Sequence, residues 1–169
     1  MLLTHAVQMF LTAKDYTPRS AEWYATTLSA FAAWLEREHA VQDVEAIRNL
    51  HVRDYFTALR TAPTPATGQP LASATAHNRA AAIIAWLHWL QAEDVAHPQT
   101  LKNVKKPVVE TKVKGTLAPE HIAALFRAAK LDTNSLRCAR DTALLSLLLD
   151  TGARANEVVT LRQRDITMT

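Results

Sequence analysis

The chain has 169 residues with 19 Lys/Arg against 16 Asp/Glu, and a net charge of +3 does not by itself announce a polyanion-binding protein. It is 49% apolar with only three glycines, which excludes wholesale disorder and favours helices. The single cysteine, Cys138, excludes an internal disulfide framework, and no apolar run approaches membrane-spanning length, so a soluble cytoplasmic protein is expected.

The first helical pattern covers about residues 3–13, with Val7, Phe10 and Leu11 on one side. Thr17 is placed to cap a second helix opened by Pro18, whose missing N–H costs nothing there. Tyr24, Leu28, Phe31 and Leu35 form its core stripe to about His39, while Arg19, Thr26, Ala30, Ala33 and Arg37 share the opposite face. A third helix, about 52–60, carries Tyr55, Phe56 and Leu59, and the loop TAPTPATGQP follows. Ser73 is the expected cap of a fourth helix that reaches about Ala92. Its stripe is Ala80, Ile83, Ile84, Leu87 and Leu90, with Trp86 and Trp89 alongside and Thr75, Arg79 and Ala82 on another side. Four such helices predict a small all-α domain over residues 1–98.

His97–Pro98 closes that domain, and residues 99–116 read as a linker. Residues 1–98 hold 7 Lys/Arg against 9 Asp/Glu, whereas 99–169 hold 12 against 7. The basic excess begins with Lys102, Lys105, Lys106, Lys112 and Lys114, accompanied by one acid, Glu110. Such a stretch can neutralise phosphates, and it fits equally a linker kept soluble by lysine. Beyond it, residues 117–169 form a second region. Pro119 opens a helix through Ile122, Leu125 and Phe126 to about Lys130. A further helix over 136–149 is apolar on nearly every side, so both flanks should be buried. Thr151–Gly152 ends it, a short helix is expected over 153–160, and 165–169 has strand character.

The segment RDTALLSLLLDTGARANEVVTLRQRDI joins an Arg-Asp pair, an apolar helix, Thr-Gly-x-Arg-x-x-Glu, an apolar pair, Leu and Asp-Ile. It resembles the opening motif of tyrosine recombinase (phage integrase) catalytic domains, matching at Arg140, Asp141, Thr151, Gly152, Arg154, Glu157, Leu161, Asp165 and Ile166. Upstream, the Thr-Pro-Arg helix start, the Ser-Ala-Thr helix with Asn78–Arg79, the Trp-rich helix end and His-Pro are similar to the family's core-binding domain. The resemblance implies a mainly α chain: a four-helix, SAM-like core-binding domain over 1–98, then the helical start of a catalytic domain over 117–169. It implies that Arg154 is one of two arginines holding the scissile phosphate. A planar, always-charged guanidinium forks onto two phosphate oxygens and stabilises charge in the transition state. Glu157 would buttress that site.

The resemblance also implies double-stranded DNA as partner, with Arg19, Thr26, Thr75 and Arg79 on the docking face and Lys102, Lys105, Lys106, Lys112 and Lys114 along the backbone. Recombinase subunits would associate on that DNA, with no metal or nucleotide cofactor. In the complete family enzyme a tyrosine attacks the phosphate, forming a 3′-phosphotyrosine link. That nucleophile, a hairpin lysine, a His/Lys-x-x-Arg motif and a further His or Trp are expected beyond Thr169. Tyr16, Tyr24 and Tyr55 read as structural aromatics. The seven histidines show no metal-ligand spacing, and His77 and His88 read as ordinary helix residues. The alternative reading is a non-catalytic helical module that binds DNA or recombinase subunits without cutting.

Overall fold

The computed structural model describes residues 1–64, 67–110 and 115–165, and it is mainly α-helical. The chain divides into two compact units, Met1–Lys112 and Val113–Thr169. The first contains α1 (Leu3–Thr12), α2 (Pro18–His39), α3 (Asn49–Thr61) and α4 (Ser73–Ala92). The second contains α5 (Pro119–Lys130), α6 (Ser135–Thr151) and α7 (Ala155–Val159).

In the first unit α4 is the central element, packed against α1, α2 and α3. Its small residues Ala76 and Ala80 are fully buried and let the neighbouring helices approach closely. The indole of Trp86 is also fully buried, edge-on to Phe31 of α2, with ring centroids 6.3 Å apart at 89°. A buried indole N–H needs an acceptor, and Trp86 Nε1 donates to the Ala6 carbonyl of α1 at 3.4 Å. The expected stripe of α2 holds, with Leu28, Phe31 and Leu35 buried, while Tyr24 packs at the edge by stacking on Tyr16 at 4.6 Å. Ala82, expected outside with Thr75 and Arg79, is buried, because α4 is covered around most of its girth. Trp23 is the one exposed tryptophan.

Of the two expected helix caps, one holds and one needs correction. Thr17 does cap α2, accepting from the Ser20 N–H at 3.3 Å, but Ser73 does not cap α4. Ser73 is already helical, and its hydroxyl accepts instead from the Glu110 N–H at 3.2 Å. The reason lies in residues 98–110, which pack along the first unit. A 3-10 turn at Pro98–Leu101 buries Thr100, and Asn49 Nδ2 of α3 donates to the Lys102 carbonyl at 3.4 Å. Pro107 is buried, and its carbonyl accepts from His77 Nδ1 of α4 at 2.7 Å. His77 therefore pins this segment to α4.

The second unit has little core of its own. Asn134 caps α6, its Oδ1 accepting from Leu136 N at 3.0 Å and Arg137 N at 3.2 Å. Gly152 ends that helix in the left-handed region at φ 64, where a Cβ would be strained. The expected burial of both α6 flanks is not met: Leu144 and Leu148 are more than a third exposed and Leu149 is 54% exposed. Among the described residues of this unit, only Val158 of α7 is a buried hydrophobic. α5 and α6 pack on each other, and one short neighbour cannot cover both flanks of the leucine-rich half of α6. Cys138 of α6 is half-buried. Asp165, expected to begin a strand, lies in a 3-10 turn, Gln163–Asp165, and residues 166–169 fall outside the described residues.

Truncating Trp86 removes the largest fully buried side chain from between three helices. Trp86→Ala is expected to destabilise the first unit by about 3–5 kcal/mol, read from denaturant unfolding of the full chain.

Candidate nucleic-acid interface and phosphate-binding arginine

The aromatic contacts fix how α2 and α4 run. Trp89 and Tyr24 both pack on Phe10, at 5.5 and 5.7 Å, whereas Phe31 meets Trp86. Moving up α2 thus corresponds to moving down α4, and the two helices are antiparallel. Arg19 and Arg37 bracket the exposed face of α2, separated by about 27 Å of helix axis. Arg79 lies at the Arg37 end, because both guanidinium groups act on the Tyr55 hydroxyl. Burial pushes that phenol up, and Arg79 and Arg37 pull against it.

The predicted contacts are therefore distributed along one helix pair. Arg19 and Thr26 are exposed on α2, and Thr26 Oγ1 donates to the Glu22 carbonyl at 2.9 Å, leaving its oxygen as an acceptor. Thr75 is exposed near the start of α4, and Arg79 is half-buried one turn further on. Arg37 and Arg79 both lie close enough to the Tyr55 hydroxyl to act on it. Sequence reading had Arg37 on the right face without naming it as a contact, since its distance from Arg79 depends on the antiparallel packing. Lys102, Lys105 and Lys106 are exposed on the docked segment, while Lys112 and Lys114 lie outside the described residues.

Away from this face, His39 and His51 come together with ring centroids 4.6 Å apart. His51 is held below the usual histidine range by burial first, then by His39 and Arg48, with Asp54 opposing. Its Nδ1 accepts from the Arg48 N–H at the start of α3, which is a structural use. Among the described residues no group of three or more His, Cys, Asp or Glu is placed to hold a metal ion. No helix among them is long and apolar enough to cross a membrane.

Arg154 owes its position to the turn before it. Thr151 Oγ1 donates to the Leu147 carbonyl at 2.6 Å and accepts from the Ala153 N–H at 3.2 Å. With Gly152 left-handed, the chain reverses and delivers Arg154 to the N-cap of α7. Its side chain is 86% exposed and meets Glu157 Oε1 through Nη1 at 3.1 Å. Glu157 Oε2 accepts from the Arg154 backbone N–H at 2.8 Å. Glu157 thus holds Arg154 from both ends, and only one guanidinium nitrogen is engaged, so the planar fork keeps further donors for an anion. Arg140 and Asp141 pair with each other at 2.8 Å, and Asp165 accepts from the Arg162 N–H at 3.0 Å.

These features define a mainly helical chain with exposed polar and basic side chains on α2 and α4 in one unit and a presented arginine in the other. It is similar to tyrosine recombinase XerD of Mycobacterium tuberculosis, in strains CDC 1551 / Oshkosh and ATCC 25618 / H37Rv. In each case it is 28% identical over 151 residues, covering 84% of this chain and 48% of the relative. The chain spans about half the length of the curated relatives it matches. No protein-family profile matches it, and no solved structure does. The similarity supports the tyrosine recombinase family.

The backbone and side-chain hydrogen bonds from Arg154 hold the Glu157 carboxyl below its ordinary value of 4.5. A depressed carboxyl contributes above its unfolded value and is lost as pH falls. Acidification below about pH 4.5 should therefore fray α7 before the first unit unfolds, and Glu157→Gln should fray it at neutral pH. Amide hydrogen exchange across 155–159 measures both.

Proposed function

We propose that this chain is the DNA-binding and phosphate-orienting portion of a site-specific tyrosine recombinase. The observation that carries the reading is the Arg140–Asp165 motif folded with Arg154 at the exposed N-cap of α7, fixed by Glu157. In this reading residues 1–98 are the core-binding domain and 117–169 begin the catalytic domain. The α2/α4 face follows duplex DNA, its 27 Å axis matching about eight base pairs of rise. Arg79 and Arg37 sit at one end of that face and Arg19 at the other. The lysines of the docked segment add phosphate contacts.

Arg154 would take two nonbridging oxygens of the scissile phosphate and hold the charge that builds in the pentacoordinate transition state. A tyrosine outside these 169 residues would attack phosphorus, the 5′-oxygen would leave with a proton, and the 3′-phosphate would remain on tyrosine. In this reading the tyrosines of this chain are structural aromatics: Tyr55 is buried, and Tyr16 and Tyr24 stack on each other.

Duplex DNA should bind the chain with a log–log salt slope of about −0.9 per neutralised phosphate. Arg79→Ala should weaken binding by roughly 1–3 kcal/mol and relax sequence preference where it reads a base edge. Anisotropy titrations on duplexes of varied sequence check this, and unchanged affinity and preference would reject the α2/α4 face.

In a protein that joins this region to a catalytic tyrosine, Arg154→Ala should lower strand cleavage by about 10²–10³ or more. DNA affinity should fall far less, because many other phosphate contacts remain. Suicide-substrate and gel-shift assays on the same preparations separate the two effects. Undiminished cleavage sinks the assignment, and so does a covalent DNA adduct formed by residues 1–169 alone.

A further inference from the structure

We infer that a second DNA contact lies outside the α2/α4 face: a basic groove between α3 and the docked segment grips one phosphodiester strand of the duplex. The groove has a volume of about 380 Å3 and is lined by Arg53, Thr57 and Arg60 from α3 and by Asn103, Lys105 and Lys106 from the segment. None of its lining residues is acidic. None of the four cations is ion-paired with a described residue, although eight ion pairs form elsewhere among the described residues.

The charge is concentrated rather than spread. Residues 1–110 hold ten Lys/Arg and ten Asp/Glu, so this part of the chain is neutral, yet four of its ten cations share this groove. Like charges gathered without a counterion repel one another, and a bound polyanion relieves that repulsion. Nonspecific DNA affinity is this same neutralisation, so a neutral unit binds through the place where its positive charge is collected.

Both walls have the right form. Arg53, Thr57 and Arg60 stand at i, i+4 and i+7 on one side of α3, with about 10.5 Å of rise between the arginines. The two guanidinium groups are thus far enough apart to reach different phosphates of one strand. Thr57 turns its hydroxyl back onto the Arg53 carbonyl at 3.1 Å and leaves room between the two guanidinium groups. The other wall is fixed before any ligand arrives. The chain turns at Asn103, left-handed at φ 59, and is held by Asn49 at Lys102, by His77 at Pro107 and by Ser73 at Glu110. Lys105 and Lys106 therefore project from an anchored backbone, and little order remains to be gained on binding. The Asn103 amide adds a neutral donor of the kind that positions a phosphate without reading sequence.

This inference rests on the reading that the chain binds duplex DNA, and the experiment separates the two. The full chain and its Arg53→Gln/Arg60→Gln and Arg53→Lys/Arg60→Lys variants are titrated with a fluorescent duplex across a salt series. Heparin and single-stranded DNA serve as competitors, and circular dichroism melts report folding. The glutamine variant should flatten the salt slope by about 1.8, as expected for two lost phosphate contacts, with affinity lower on the order of tenfold for every duplex sequence. The lysine variant should keep most of the slope. If the glutamine variant fails to fold, Lys105→Gln/Lys106→Gln on the other wall carries the same measurement. Duplex binding that is unaffected by the groove variants overturns the groove and leaves the α2/α4 face standing. Loss of heparin binding without loss of duplex binding also overturns it. Absence of any salt-dependent duplex binding by the unaltered chain overturns both.

Discussion

The first unit is organised around the burial of one indole. Trp86 has a large apolar surface and one N–H donor, and both needs are met only where α1 supplies the Ala6 carbonyl and α2 supplies the edge of Phe31. Once Trp86 is seated, the rotation of α4 is set. Its buried alanines face the neighbouring helices, while Thr75 stays exposed and Arg79 half-buried. The antiparallel order of the aromatic contacts then decides which basic side chains are neighbours.

A second constraint acts on the far side of α4. The segment after Pro98 is bonded to α3 and α4 at three separate places, each by a polar side chain whose own helix makes no use of it. Ser73 is the clearest case, since α4 starts without a side-chain cap while its serine serves Glu110. Stability of the helix start is thereby linked to the position of the lysine-bearing backbone. The electrostatic result is a neutral body with one locally basic furrow, which a net charge hides.

Local chemistry made much of this legible in the sequence. Thr17–Pro18 starts α2, the apolar spacing of α2 and α4 marks their buried sides, and Thr151–Gly152 ends α6. Each depends on residues within a few positions of one another. Several of the misses involve partners distant in sequence. His77 looks like any helix histidine until Pro107 lies against it, thirty residues later. Arg37 and Arg79 come to act on one phenol only through tertiary packing, and the α3 arginines gain lysine company only because the chain folds back over α3. Arg154 is the intermediate case. Its support by Glu157 is local and takes the form of an ion pair three residues on, whereas the phosphate reading needs the surrounding motif.

The thin interior of the second unit has a thermodynamic consequence. The heat-capacity increment of unfolding tracks the apolar area newly exposed to water. Val158 is the only buried hydrophobic described there, and the leucines of α6 already meet solvent. A calorimetric endotherm of this chain therefore belongs almost wholly to the first unit. The α5–α6 pair should add only a small heat-capacity increment of its own, and a larger one once something covers those leucines.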